Sequence, residues 1–424
     1  MNKKINVDVA ILGAGIAGLG AALGAKNSSR KSIIFEANKS AGGLLDNFSV
    51  EGFRFDNAVH LSFATEPEVR SIFDKTPYYT HPSDSSNFEE NKWLKHPVQN
   101  NLFPLSAADK VDLIDSFLSR PDIEDIQNYE QWLNHQYGTK IAQRFPLRYT
   151  KKYWQCEAKE LSTTWIGNRM RRADFKELLH GSYTDETPNT YYTKEMRYPK
   201  KGGYKSFIEP LIDDANIYYE YRAISINLES REVCFENGDI AIFKDLVNTL
   251  PLPVFIELCG KNVPDNIKSA ASKLEATSID LISVGFNKPV IKDLWFYIYD
   301  EDIFASRAYS PSVKSKDNAP EGCSSLQFEI YNPGRVSRFT PDELTKNVLF
   351  AINKMNIAED VDILFCEHKH LSWGNVTFKI GMEHHRKLVL DFMSQNNVKT
   401  AGRFGEWDYF WSNQSFLSGY NLYT

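Results

Sequence analysis

Val9-Ala-Ile-Leu-Gly-Ala-Gly-Ile-Ala-Gly-Leu-Gly20 is the stretch that decides the fold of this chain. An apolar run of strand type ends in a glycine turn, and the turn opens a helix rich in alanine. Ile33-Ile-Phe-Glu36 follows as a second apolar strand that ends in an acid. In such a β-α-β unit Gly13 permits the tight turn, Gly15 lets a pyrophosphate approach the backbone, and Gly18 lets helix and strand pack closely. Phosphates would lie on the free N–H groups of the helix start, where the helix dipole favours negative charge. Glu36 would accept hydrogen bonds from an adenosine ribose. The pair Gly42-Gly43 just after the acid tilts the reading from a nicotinamide dinucleotide towards FAD, because it lets the chain pass close to the cofactor. Lys3-Lys4 and the small apolar run to Ala25 also have the outline of a secretory signal. Asp8 interrupts that run, and a signal leaves the glycine spacing and the acidic strand unexplained.

The chain has 424 residues, 42% hydrophobic and 13% aromatic, enough to bury a core for two or three lobes. Its net charge of -6 offers no bulk attraction for nucleic acid or acidic membranes. No later uncharged apolar run is long enough to cross a bilayer, so no membrane insertion is expected. Cys156, Cys234, Cys259, Cys323 and Cys366 are scattered and show no paired spacing. They read as free thiols in a reducing cytoplasm. His368 and His370 are two apart in an expected strand and share a face, and His384 adjoins His385. No matching acid or cysteine pattern follows them, so no metal is expected.

Residues 5–60 read as β-α-β plus a loop. Lys110–Leu118 and Tyr129–Tyr137 carry apolar residues at helical spacing. Pro199–Gly203 is a turn, followed by an amphipathic helix through Phe207 and Leu211. Ile217–Ile226 and Val233–Phe235 read as strands, with a turn at Asn237-Gly238. Asp245–Pro251 reads as a strand returning to the dinucleotide lobe. Ile279–Phe286, Leu294–Tyr299, Ser325–Tyr331 and Asp362–Cys366 are rich in β-branched and aromatic residues and suggest a second sheet. Thr400–Gly405 reads as another glycine turn. The expected fold class is α/β, a Rossmann-type FAD-binding domain assembled from discontinuous segments. It carries an inserted helical lobe and a second, mostly antiparallel β-sheet substrate domain. The expected boundaries are 1–95, 196–270 and 395–424 for the cofactor domain, 96–195 for the helical lobe and 271–394 for the sheet domain.

Several ordered blocks resemble the UDP-galactopyranose mutases, in particular their eukaryotic-type branch, within the FAD amine oxidase and protoporphyrinogen oxidase superfamily. The glycine motif and Ala41-Gly-Gly-Leu44 are shared across that superfamily. Phe55-Asp56 with His60 looks like a flavin-facing histidine loop. Trp93–Leu102 is similar to a P-x-Q-N-N segment, and Tyr149–Trp154 with Leu161 and Trp165–Arg169 is similar to a helical-lobe signature. Pro199–Tyr204, Trp295–Arg307 with Pro320-Glu-Gly322, and Gly402–Tyr409 with Asn413-Gln414 match further blocks in order. The likeness runs from about residue 7 to residue 420.

The resemblance implies an isomerase that interconverts the pyranose and furanose forms of a UDP-hexose, UDP-galactopyranose first, through a covalent adduct between the sugar and N5 of reduced FAD. Such a reaction serves cell-surface polysaccharide synthesis. It implies a UDP- or dTDP-hexose substrate, NAD(P)H or another reductant for the flavin, and leaves a homo-oligomer open. The residues carried over are His60 beside the flavin ring and Arg307 as catalytic groups. Gln99, Asn101, Arg169, Arg307, Tyr409 and Asn413 would bind substrate, arginine being suited to diphosphate by its planar fork. Gly13, Gly15, Gly18, Glu36, Gly42, Gly43, Gly402 and Arg403 would bind the cofactor.

The sequence departs from the family at a few positions. Ala58-Val59 stands where the family has a glycine pair before the histidine, and Val59 adds a side chain where backbone should approach the flavin. Asn375 stands at a tyrosine position, and Tyr309 is a shifted stand-in for a second diphosphate tyrosine. The chain ends soon after Asn421, so a helix following the last motif is expected to be short or absent. These departures keep two alternatives in view: an FAD oxidoreductase of amine oxidase or protoporphyrinogen oxidase type, and a non-catalytic protein that binds FAD or a nucleotide sugar.

Overall fold

The computed structural model of the chain describes residues 3–83, 85–167, 170, 174–188 and 195–424. Its amino end forms the expected unit of strand Lys4–Leu12, helix Ile16–Asn27 and strand Ser32–Phe35. The two strands are parallel, with Leu12 opposite Phe35. Ile240–Asn248 lies on the other side of Lys4–Leu12, also parallel, and Val398–Thr400 pairs with it in turn. The strand expected at Asp245–Pro251 therefore starts earlier and stops at Asn248. Ile217–Ile226 is two strands, Ile217–Tyr218 and Ala223–Asn227, interrupted by Glu220 at φ 62. The sheet has seven strands drawn from three separated segments. Its central strand has neighbours on both edges and layers on both faces, which is why Val9–Leu12 reads as an unbroken apolar run.

The small residues of the first helix have a packing cause. A Cβ on Gly20 would lie 2.4 Å from the Phe416 carbonyl oxygen, and one on Gly24 would lie 2.3 Å from that of Tyr420. A Cβ on Gly419 would meet the Ala17 carbonyl oxygen at 2.0 Å. The nine-residue helix Ser412–Tyr420 thus lies backbone to backbone on Ile16–Asn27. This contact ties the carboxyl end of the chain to the glycine motif.

The second sheet also has seven strands, in the order Ile363–Leu371, Thr277–Phe286, Ser324–Pro333, Arg307–Tyr309, Trp295–Ile298, Ser86–Glu89, Lys92–Lys95. Residues 86–95, assigned above to the cofactor domain, belong to this sheet: Ser86–Glu89 pairs with Trp295–Ile298. The alternation of side chains along a strand sorts its two faces. Ala308, Leu326, Phe328 and Ile330 pack with Leu344, Val348, Ala351 and Ile352 of helix Pro341–Lys354. Arg307, Glu329 and Tyr331, of opposite parity, are left for the other face.

Short helices, Ala107–Leu118, Tyr129–Tyr137, Thr139–Arg144, Pro146–Trp154 and Phe175–Tyr183, make up most of the intervening lobe. The helix expected through Phe207 and Leu211 is a 3-10 turn, Tyr204–Phe207, followed by Glu209–Asp214. Lys152 is buried and pins the lobe to the second sheet by donating to the carbonyls of Ile298 and Asp300, each at 2.9 Å. Among the described residues no helix is long and apolar enough to cross a membrane.

Candidate active site

The glycine motif forms a cradle in which each glycine has a separate reason. Gly13 has φ +100, and a Cβ there would lie 2.6 Å from Thr249 Oγ1. A Cβ on Gly18 would lie 2.0 Å from the Gly13 carbonyl oxygen, so helix and strand touch at that point. Gly15 differs: no protein atom lies within 4 Å of an added Cβ, and the residue lines the cavity. It precedes the first helix, whose leading N–H groups no side chain caps. Gly42, at φ 123, donates its N–H to the Ala14 carbonyl at 2.9 Å. This carries Gly43 across the motif, 3.3 Å from an added Cβ to Gly15 Cα.

Glu36 accepts from Ala14 N at 2.8 Å through Oε2 and from Asn38 N at 2.9 Å through Oε1. Each oxygen keeps a lone pair for a ribose hydroxyl. Gly402 has φ +83, and a Cβ there would lie 2.6 Å from Ala17 Cβ. Open backbone donors, an acid one strand further on and a glycine loop over both fit a dinucleotide.

One cavity of about 1360 Å³ starts at this cradle and continues between the second sheet and the helical lobe. Gly13, Gly15, Glu36, Gly42 and Gly43 line its cradle end. His60, Gln99, Arg307, Gly402, Arg403 and Tyr409 line the rest. Gly18 lies beneath the cradle as a packing residue. Asn101 and Asn413, expected to bind substrate, are not on the cavity wall. Asn101 donates to the Pro97 carbonyl at 2.9 Å and accepts from Thr187 Oγ1 at 2.5 Å. Asn413 donates to Glu66 Oε1 at 2.8 Å. Tyr309 is fully buried, with its hydroxyl 2.6 Å from Gln327 Oε1 and Lys314 Nζ 3.8 Å from its ring centre; it is a core residue. Arg169 lies outside the described residues.

Arg307 stands opposite Glu329 in the strand register. Its Nε donates to Glu329 Oε2, its Nη2 lies 3.3 Å from the Tyr331 hydroxyl, and its guanidinium lies 5.4 Å from the Tyr153 ring centre. Burial works against its charge, but Glu329 beside it outweighs that and holds the guanidinium well above its ordinary value. Arg403 donates to the Phe410 carbonyl through Nε and Nη2, at 3.0 and 2.7 Å. Its Nη1 reaches Asn375 Oδ1 at 3.4 Å, so the asparagine at the tyrosine position is a partner of this arginine. The Tyr409 hydroxyl lies 3.0 Å from that of Tyr153, and burial raises its pKa and keeps it protonated.

His60 Nε2 faces two carbonyl oxygens, Leu44 at 2.9 Å and Asn57 at 3.0 Å. Both are acceptors, so this nitrogen carries the proton. Burial lowers the ring's pKa and keeps it neutral. Just before it, Ala58 takes φ 75, a conformation that favours glycine. Val59 lines the cavity, and its N–H donates to Glu329 Oε1 at 2.8 Å.

Glu329 is the main residue that the sequence reading missed. It is fully buried and joins the histidine loop to Arg307 and Tyr331. A signal was present: an acid between Phe328 and Ile330 in an apolar strand needs a partner. Tyr149, Tyr297, Tyr299 and Tyr331 also line the chamber, and only their shared convergence on one cavity reveals them. His368 and His370, though on one face, both bond to Asp280.

A match to the NAD(P)-binding Rossmann-like domain covers residues 11–76. The structure is similar to that of reduced UDP-galactopyranose mutase, with TM-score 0.90 and 24% identity over 98% of this chain and 92% of that one. It is also similar to a putative protoporphyrinogen oxidase from Exiguobacterium sp. 255-15, with TM-score 0.74 and 16% identity over 100% and 98%. Putrescine oxidase, in its wild-type form bound to putrescine, matches with TM-score 0.66 and 12% identity over 99% and 98%. The chain therefore shares the fold of these proteins over nearly its whole length, with an NAD(P)-binding Rossmann-like domain at its amino end.

Proposed function

We propose that the chain is an FAD-dependent nucleotide-sugar mutase that interconverts pyranose and furanose forms of a UDP-hexose, UDP-galactopyranose first and a dTDP-hexose next. One observation carries this reading. A cavity of about 1360 Å³ joins the dinucleotide cradle to a chamber holding Arg307, Arg403 and several tyrosines. That volume exceeds the roughly 300–1,000 Å³ of a pocket for one small ligand, which supports a site for a cofactor and a second ligand together.

Glu36 and the N–H groups at Gly15 would hold the ribose and pyrophosphate of FAD. Bound and reduced, FAD would supply a nucleophilic nitrogen for a substitution at the sugar carbon. The chain's own residues have the task of keeping a nucleoside diphosphate in place while its bond to the sugar is broken. Arg307 retains guanidinium donors beyond Nε and Nη2 for phosphate oxygens. The hydroxyls of Tyr153 and Tyr409 form a bonded pair, so one O–H at most is left to donate to the same anion. Tyr149, stacked on Tyr153 at 5.4 Å, and Trp154 add aromatic surface to the same wall. His60 keeps its Nε2 proton between two carbonyls and so serves to fix the loop beside the cofactor. The same reading carries NAD(P)H or another reductant, a cytoplasmic setting and a role in polysaccharide synthesis.

A second reading is an FAD oxidoreductase of amine oxidase or protoporphyrinogen oxidase type, acting on an amine or an apolar substrate. The Arg307–Glu329 pair favours it, because the carboxylate offsets the charge that a diphosphate would seek. Dithionite-reduced protein incubated with UDP-galactopyranose and a panel of nucleotide hexoses separates the two. Chromatography is expected to show a furanose product. Absence of any product, together with oxygen uptake on amines by the oxidised protein, would replace the mutase reading by the second.

A further inference from the structure

Trp373 lines two cavities: the chamber described above and a separate one of about 850 Å³. Among the described residues it alone lines both. The second cavity lies between helix Leu252–Cys259, helix Asp265–Ser272 and the turn that follows strand Ser324–Pro333. Neither the cofactor nor the sugar nucleotide of the mutase reading makes use of it. Its volume falls within the roughly 300–1,000 Å³ of a pocket for one small ligand.

The walls of this cavity are of two kinds. Ile256, Ala271, Leu274 and Ala276 are buried and, with Trp373, make an apolar surface. The indole is seated against Phe404 and Trp407, with ring centres 5.8 and 6.1 Å away. The charged groups are Lys261, Lys268, Arg335, Glu257 and Glu275. Glu275 is engaged by Lys379 at 2.8 Å, and Lys268 lies 3.5 Å from Asp265. Among the described residues Lys261, Arg335 and Glu257 form no ion pair. The Arg335 guanidinium lies 5.6 Å over the Trp373 ring, which sets a planar fork of donors beside a flat aromatic surface.

These groups ask for three different chemistries in one molecule. A flat, half-buried indole beside aliphatic side chains takes a planar ring. Two cations without acidic partners take a doubly charged anion, and arginine suits phosphate oxygens in particular. A carboxylate without a cation accepts hydrogen bonds from hydroxyl groups. An aromatic carboxylate would meet only the first need in full, and inorganic phosphate only the second.

We infer that this second cavity binds a nucleoside monophosphate, with the base on the apolar wall at Trp373, the phosphate on Arg335 and Lys261, and the ribose hydroxyls towards Glu257. The site stands apart from the FAD and mutase readings, since Trp373 is the one residue it shares with the chamber.

Calorimetric titration of the full chain with AMP, and separately with UMP, in the presence of saturating FAD tests the site. At least one of the two nucleotides is expected to bind. Arg335→Ser and Lys261→Ser should each weaken that binding about tenfold, the loss of one charge-assisted hydrogen bond. Both side chains are exposed, so the variants should keep the melting temperature of the wild type. Ser272→Trp, from another exposed position on the same cavity, should block binding outright. The matching nucleoside and inorganic phosphate should each bind more weakly than the nucleotide. Binding that survives Arg335→Ser, Lys261→Ser and Ser272→Trp unchanged would lie in the cradle or the chamber and overturns the inference. So does the absence of binding by both nucleotides. Inorganic phosphate binding as tightly as the nucleotide overturns it too, because the cavity would then be a plain anion site.

Discussion

Arg307 and Glu329 face each other directly across two antiparallel strands, and the guanidinium Nε donates to a carboxylate that solvent does not reach. The same carboxylate accepts from the Val59 N–H at 2.8 Å and from the Tyr331 hydroxyl at 2.9 Å. One buried acid therefore couples the loop before His60 to the arginine expected to bind diphosphate.

Removing one partner of such a pair leaves the other buried and uncompensated. Glu329→Ala is expected to cost about 3–5 kcal/mol of stability in urea denaturation. The double variant Arg307→Met, Glu329→Leu should recover a large part of that loss, because neither charge remains. A double variant no more stable than Glu329→Ala would show that the pair is not the source of the cost.

Gly15 and Gly18 should fail in different ways. Gly15→Ala meets no protein atom within 4 Å, so its melting temperature should match the wild type while bound flavin absorbance is lost. Gly18→Ala would put a Cβ 2.0 Å from the Gly13 carbonyl oxygen and should lower the melting temperature even without cofactor. A Gly15→Ala protein that keeps its flavin would remove the phosphates from that position.

Lys314 makes stability depend on alkaline pH. It is fully buried, 3.6 Å from Asp56 Oδ2, too far for a hydrogen bond. Burial, opposed by Asp56 and Glu329, lowers its pKa from 10.5 to about 8. Between these two values the unfolded chain holds the proton and the folded chain does not, so stability rises with pH across that window. In denaturation measurements Lys314→Met should show a smaller rise than the wild type from pH 8 to 10.5, the remainder coming from buried Lys152, whose pKa burial lowers to about 7. Parallel curves for the two proteins would contradict the assignment.

Asn413 and Tyr409 should separate structure from binding. Asn413→Ala breaks the bond to Glu66 and is expected to cost about 1 kcal/mol of stability, with little change in UDP affinity by calorimetry. Tyr409→Phe removes a hydroxyl from the chamber and should weaken UDP binding about tenfold, the equivalent of one hydrogen bond of about 1.4 kcal/mol. The reverse order of effects would return Asn413 to the site.

Much of the cofactor half was legible in the chain because its determinants are local. Gly13, Gly15, Gly18 and Glu36 act through one turn, one helix start and one strand end, all within a short stretch. The chamber half was only partly legible. Arg307 and Tyr409 were reached through ordered motif blocks, but Asn101, Asn413 and Tyr309, reached the same way, point into packed or hydrogen-bonded surroundings. Residues 86–95 were misplaced because two short strands carry no mark of the sheet they will join.

By itself the sequence determined that a Rossmann-type β-α-β unit opens the chain, that its sheet is assembled from separated segments, and which glycines must stay bare. Backbone geometry and apolar periodicity are properties of neighbouring residues, so they can be read in order. The tertiary structure alone decided that Glu329 meets Arg307, that His370 meets Asp280, and that the glycines of the first helix receive the last one. Those contacts join residues far apart in the chain, and their charge states follow from burial and partners that exist only once the sheets and helices have packed.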